Sequence, residues 1–251
     1  VDRSRGLGDV YKRQVWGVNL DDYPTLEIRP PAKCGDVSAV TQAGADAIGI
    51  IDGVFGDGPS VWHKEILSAL HRGIPVYGSS SMGALRAAEC AVYGMKGVGE
   101  VFDSYVRGER VSDADVAVVH GPAELHWQPL TVALVDVEAS VANAVDAGEL
   151  STDDGGRILD VARNIHFSKR TWKRIYECAF ATGKIENSPE MVITLFFRSV
   201  KVEDAKQLLS AMEAIGPNDC NSPATWEFSK TNALGLLLSL IHISEPTRPI
   251  H

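Results

Sequence analysis

Apolar residues in this chain fall first into short β-branched runs and then into long stretches of helical period. Asp46–Ile51 is short and apolar, bounded by Gly44 and Gly53, and reads as a strand buried on both faces. From Pro59 to Arg72 the period turns helical: Pro59 suits the first turn, Ser60 a cap, and Gly73 a stop. Ile66, Leu67 and Leu70 make its apolar stripe, with Trp62 and His63 one turn earlier. Ile74–Gly78 is a second strand, Met82–Tyr93 a helix ending at Gly94, and Val116–Val119 a third strand running into His120-Gly121-Pro122. After Pro129 the character changes. Segments 130–147, 153–162, 169–181, 189–197 and 202–215 all favour helix by propensity and period. The expected class is α/β, a small parallel sheet with flanking helices over residues 15–128, followed by a helical C-terminal half over 129–237.

In a strand–helix–strand unit of a parallel sheet, both strand ends reach one edge, where α/β proteins collect ligands. Here those ends carry Asp52-Gly53 and Ser79-Ser80-Ser81. The pattern thus brings a carboxylate and a serine cluster to one crevice.

Composition is that of a globular chain, with 45% hydrophobic and 23% charged residues. No apolar run is long enough to span a bilayer, so no membrane partner is expected. The formal charge of −9 argues against nucleic acid, which selects a basic face. Cys34, Cys90, Cys178 and Cys220 are scattered, without a Cys-x-x-Cys pair. That usage points to cytoplasmic thiols rather than a disulfide framework or a metal site, and no cofactor motif is complete. The two ends resemble a translated sequencing adapter read on opposite strands, Ser4–Gln14 at one and Leu238–Arg248 at the other. Residues 1–14 and 238–251 are therefore set aside as artefacts, which makes the remainder about two charges more negative.

Ser81 is the candidate nucleophile. It follows a strand and precedes a helix, with Gly78 and Gly83 nearby, the small surroundings that a nucleophile elbow needs. The helix start would aim backbone N–H groups at a developing oxyanion. The same position also suits an N-cap, and spacing alone leaves both readings open. His63 or His120 is the candidate base, with Asp52 as the orienting carboxylate. His63, on the stripe with Ile66 and Leu67, is expected to face the core or the crevice edge. Arg86 and Glu89, one turn apart, are expected to pair, and Arg86 is also placed to bind an anionic group. Lys64 alone reads as a solvated charge, and Trp127 and Trp172 as core.

Several strings together resemble the TfuA-like core family. They are Pro31-Ala32 with Gly35-Asp36, Asp52-Gly53-Val54-Phe55, Val61-Trp62-His63-Lys64-Glu65-Ile66-Leu67, and Ser81-Met82-Gly83-Ala84-Leu85-Arg86-Ala87-Ala88-Glu89. Gly94-Met95, Gly97-Val98-Gly99, His120-Gly121-Pro122 and Glu124 extend the match, which runs from about Pro30 to Gly148. The family usually opens with a strand ending in Gly-Pro-Ser or Gly-Pro-Thr, which the adapter-like start displaces here. The resemblance implies a thioamidation partner of a YcaO-type enzyme, one that hydrolyses the C-terminal thiocarboxylate of a ThiS-like sulfur carrier and so releases sulfide. It implies a site holding Ser81, Asp52, His63, Lys64 and Arg86, to which the reading of the residues adds His120 as candidate base and Gly53, Ser80 and Glu89 as candidate substrate contacts beside Lys64 and Arg86. Two other readings accompany it: a non-catalytic adaptor that docks substrate or carrier onto YcaO, and an unrelated α/β serine hydrolase.

Overall fold

A computed structural model describes residues 9–11, 18–54, 58–122, 128–181, 196–215, 224–229 and 231–237. Its centre is a five-stranded parallel sheet of β1 (Asp9–Tyr11), β2 (Glu27–Arg29), β3 (Ile48–Ile50), β4 (Val76–Ser79) and β5 (Lys96–Val98), in spatial order β2-β1-β3-β4-β5. The helices are α1 (Asp36–Ala43), α2 (His63–His71), α3 (Met82–Cys90), α4 (Glu100–Val106), α5 (Leu134–Asp146), α6 (Thr152–Asn164), α7 (Trp172–Ala181) and α8 (Val200–Glu213). The α/β class with a helical C-terminal half is what the period of the sequence predicts. Asp9–Tyr11, within the stretch set aside above, lies between β2 and β3 and pairs with both.

Around β3 the expected burial on both faces is met, and it divides by strand parity. Ile48 and Ile50 pack with Val37, Val40, Ile66 and Met82 on the face covered by α1, α2 and α3. Ala47 and Ile51 pack with Leu208, Leu209 and Met212 of α8 on the other. A helix from the C-terminal half therefore closes the sheet's second face. Helices α5, α6 and α7 build their own core from Val137, Val141, Ile158, Ala162, Ile175 and Tyr176, against which Trp172 packs as expected.

Three sequence expectations need correction. Val116–Val119 is not a strand. The Val116 carbonyl accepts from the Lys201 amine, the Val119 N–H donates to Thr131 Oγ1, and the Val119 carbonyl accepts from Leu130 N. With side chains and a loop taking these groups, no ladder is left to form. The strand beside β4 is β5, whose Lys-Gly-Val carries no apolar run. A Cβ on Gly97 would lie 2.0 Å from the Phe102 ring, so that bare position lets α4 pack down on the sheet.

The third correction concerns α2, which starts at His63 rather than Pro59. The Pro59 carbonyl accepts from Cys34 N, and Ser60 Oγ accepts from Arg86. Glu65 supplies the helix start instead, its buried carboxylate accepting from Trp62 N and from Gly35 N and Ser38 N at the start of α1. Glu124, Trp127, Cys220 and most of the expected 189–197 helix lie outside the described residues.

Candidate active site

The Ser79-Ser80-Ser81 turn is bound side chain by side chain to α8. Ser79 Oγ donates to the Asp204 carbonyl at 2.9 Å and Ser80 Oγ to the Lys201 carbonyl at 2.8 Å. The Lys201 amine donates to Ser81 Oγ at 3.1 Å and to the Val116 carbonyl at 2.5 Å. Ser80 has φ 69°, the one non-glycine residue with positive φ among the described residues. That backbone turn, immediately before Ser81, sends the chain from β4 into α3. Glycine is required where α3 meets β3, since a Cβ on Gly83 would lie 1.7 Å from the Ile50 carbonyl.

Ser81 occupies the N-cap position of α3 without capping it. Its hydroxyl is committed to Lys201 and, at 3.4 Å, to the Val116 carbonyl. The side chain therefore does not act as a cap, and its hydroxyl lies instead against a buried amine. The oxyanion expectation does not hold as stated. Ser81 N and Gly83 N both donate to the Ile51 carbonyl, at 3.2 and 3.3 Å, which uses these two donors within the fold.

Lys201 is the residue the sequence reading missed. It is 2% exposed, and both partners of its amine are neutral oxygens. Burial pushes its pKa down, opposed by the fields of Asp52 and Asp136. A buried amine below its usual range, touching a serine hydroxyl, is the arrangement that turns lysine into a general base. Asp136 Oδ1 accepts from Lys201 N and Oδ2 from Ser199 Oγ, tying α5 to the start of α8, and burial raises the Asp136 pKa. No motif announces Lys201. It precedes Val202 in a helical period, and its one early sign is that a lysine falls where the stripe of α8 turns inward.

Asp52 and His120 do come together, as expected, though His120 arrives on a loop. Asp52 is buried and the His120 side chain is 9% exposed, with Nε2 3.8 Å from Oδ2. Asp52 follows Ile51 directly, so the pair adjoins the Ser81 turn through the Ile51 carbonyl.

His63 is elsewhere. Its side chain is 49% exposed and its Nε2 lies 2.8 Å from Glu89 Oε2, because Glu65 and Ile66, not His63, occupy the buried face of α2. The expectation that it faces the core fails. Arg86 and Glu89 pair as expected, at 2.5 Å. Arg86 also donates to the Val61 carbonyl and Ser60 Oγ, so its guanidinium clamps α3 to the loop before α2. Lys64 donates to the Ser229 carbonyl and lies over the Phe228 ring, held by the C-terminal segment. Gly53 is packed under Met82 and against the Ala32 carbonyl. Thus Ser81, Ser80, Asp52 and His120 gather with Lys201, while His63, Lys64, Arg86 and Glu89 form a separate group on α2 and α3.

The fold is thus a parallel α/β sheet whose strand-end serine is held by a buried lysine from a distant helix, a contact whose chemistry can serve proton transfer to and from a hydroxyl. Residues 52–171 match the family model of TfuA-like proteins, and over that span the chain is similar to that family. The match holds Asp52, Ser81, His120 and Asp136, while Lys201 lies beyond it. No curated protein matches the chain.

Proposed function

We propose that this protein hydrolyses the C-terminal thiocarboxylate of a ThiS-like sulfur carrier, supplying sulfide to a YcaO-type enzyme for backbone thioamidation of a ribosomal peptide or protein. The observation that carries the reading is the Lys201 amine against the Ser81 hydroxyl, buried and with neutral partners only. Lys201 takes the Ser81 proton, Oγ attacks the thioacyl carbon, the C–S bond breaks, and Lys201 passes the proton to the departing sulfur, which leaves as hydrosulfide. A serine ester remains and is hydrolysed by water. We place the reaction in the cytoplasm, in keeping with the free thiols of Cys34, Cys90 and Cys178.

Incubation with a thiocarboxylated sulfur carrier tests this directly. Sulfide release that collapses in Ser81→Ala, with the fold retained, supports it, and near-normal release in that variant rejects Ser81 as nucleophile. A second reading, a docking adaptor for YcaO, is favoured by one feature: Ser81 is fully buried and the Ser81 and Gly83 N–H groups are already used. It requires carrier binding with no sulfide release from the parent protein.

A further inference from the structure

The serine–lysine contact leaves a second acid–base pair without a task. Once Lys201 takes the Ser81 proton, Asp52 and His120 are not needed for the nucleophile. Yet Asp52 is buried and His120 is largely withdrawn from solvent against it, and taking a carboxylate and an imidazole out of water is costly unless they are paired or their chemistry is used. Their separation of 3.8 Å is too long for a good direct hydrogen bond but spans the two partners of one bridging water. Asp52 Oδ2 is buried and accepts no hydrogen bond among the described residues, so it has a lone pair to offer such a water. Asp52 follows Ile51, whose carbonyl anchors the Ser81 turn, and its charge acts on Lys201, so Asp52 with His120 against it stands on the side of the turn where Ser81 would carry the ester.

We propose that His120, oriented by Asp52, activates the water that cleaves the acyl-Ser81 ester, dividing the labour with Lys201, which serves the attack by Ser81. This rests on the thioacyl-hydrolase reading above. In this half-reaction the water oxygen bonds to the ester carbon as His120 takes one of its protons. The ester C–O bond then breaks, and Oγ recovers its proton from the new carboxylic acid. The carrier leaves as a carboxylate, and His120 releases its proton to solvent.

Two half-reactions with separate bases give a kinetic signature that a single triad does not. In His120→Gln and Asp52→Asn, rapid quench with thiocarboxylated carrier should show one equivalent of sulfide released at the parent rate. Turnover should then fall about 100-fold, the scale of general-base catalysis, while intact mass spectrometry finds carrier esterified to Ser81. The same variants, assayed with a p-nitrophenyl ester, should give a burst of nitrophenol and the same slow phase. That arm reports on acyl-Ser81 whatever the natural substrate, so it separates failure of this assignment from failure of the thiocarboxylate reading. Loss of the burst together with turnover, in folded variants and with either substrate, overturns the division of labour. So does unchanged turnover.

Discussion

The Nζ of Lys201 lies 3.1 Å from Oγ of Ser81, joining residues 120 positions apart in the chain. Both belong to elements that meet only because α8 packs on the sheet face bearing Ile51. The lysine–serine contact and the closing of that face are therefore one packing event.

Replacing Lys201 with Met should separate stability from activity. Its pKa is depressed on folding, so from the folded-state value up to the usual 10.5 the unfolded chain binds more protons than the folded one. The group's contribution to stability therefore rises with pH through that interval and is most unfavourable below it. Lys201→Met should abolish sulfide release and raise stability by about 1 kcal/mol at neutral pH. Its melting temperature should also lose part of the parent's rise between neutral and alkaline pH. Thermal melts across that range, run beside the sulfide assay, check both.

Asp204 should work in the opposite sense at acid pH. Its carboxylate accepts from Glu100 N and Val101 N at the start of α4, and burial pushes its pKa up to about 6 from 3.8. Between these values the folded protein binds the extra proton, so this group's contribution to stability falls as pH rises. Asp204→Asn should flatten that part of the stability profile, read by denaturant unfolding at a series of pH values.

Adding one methyl at Gly83 should be severe. The Cβ would sit 1.7 Å from the Ile50 carbonyl, so α3 must shift away from β3 and carry the Ser81 turn with it. Gly83→Ala should cost about 3 kcal/mol or more and reduce activity in proportion to the displaced turn. A parent-like urea midpoint would show that the two elements have slack.

Arg86 should behave as a clamp rather than a substrate contact. Three of its donors are satisfied within the fold, by the Val61 carbonyl, Ser60 Oγ and Glu89. Arg86→Ala should lower stability by about 1–3 kcal/mol and leave the KM for thiocarboxylated carrier within about threefold of the parent. A rise of tenfold or more in KM, without loss of stability, would return Arg86 to the binding surface.

Much of the architecture was legible because burial leaves a periodic trace. The parity of Ala47 to Ile51, the stripe of Ile66 and Leu70, and the helical period after Pro129 are local signals of which faces will be covered. β5 escaped notice because Lys96-Gly97-Val98 gains its place from Phe102 packing over a bare glycine, not from its own hydrophobicity. Val116–Val119 misled for the converse reason: it is apolar enough for a strand, but its backbone groups are taken by Lys201, Thr131 and Leu130.

By itself the sequence determined that Asp52 and Ser81 stand at neighbouring strand ends, since a strand, helix and strand in series leave little choice of edge. It also placed a glycine where α3 must touch β3. Only the tertiary structure decided which side chain meets the serine. His63 sits closer to Ser81 in sequence than Lys201 does, yet helix phase turns it to Glu89, while α8 returns across the sheet and drives Lys201 into the turn. Proton transfer depends on contact at hydrogen-bond distance inside a dry interior, and such contact is set by packing among distant elements that no local pattern encodes.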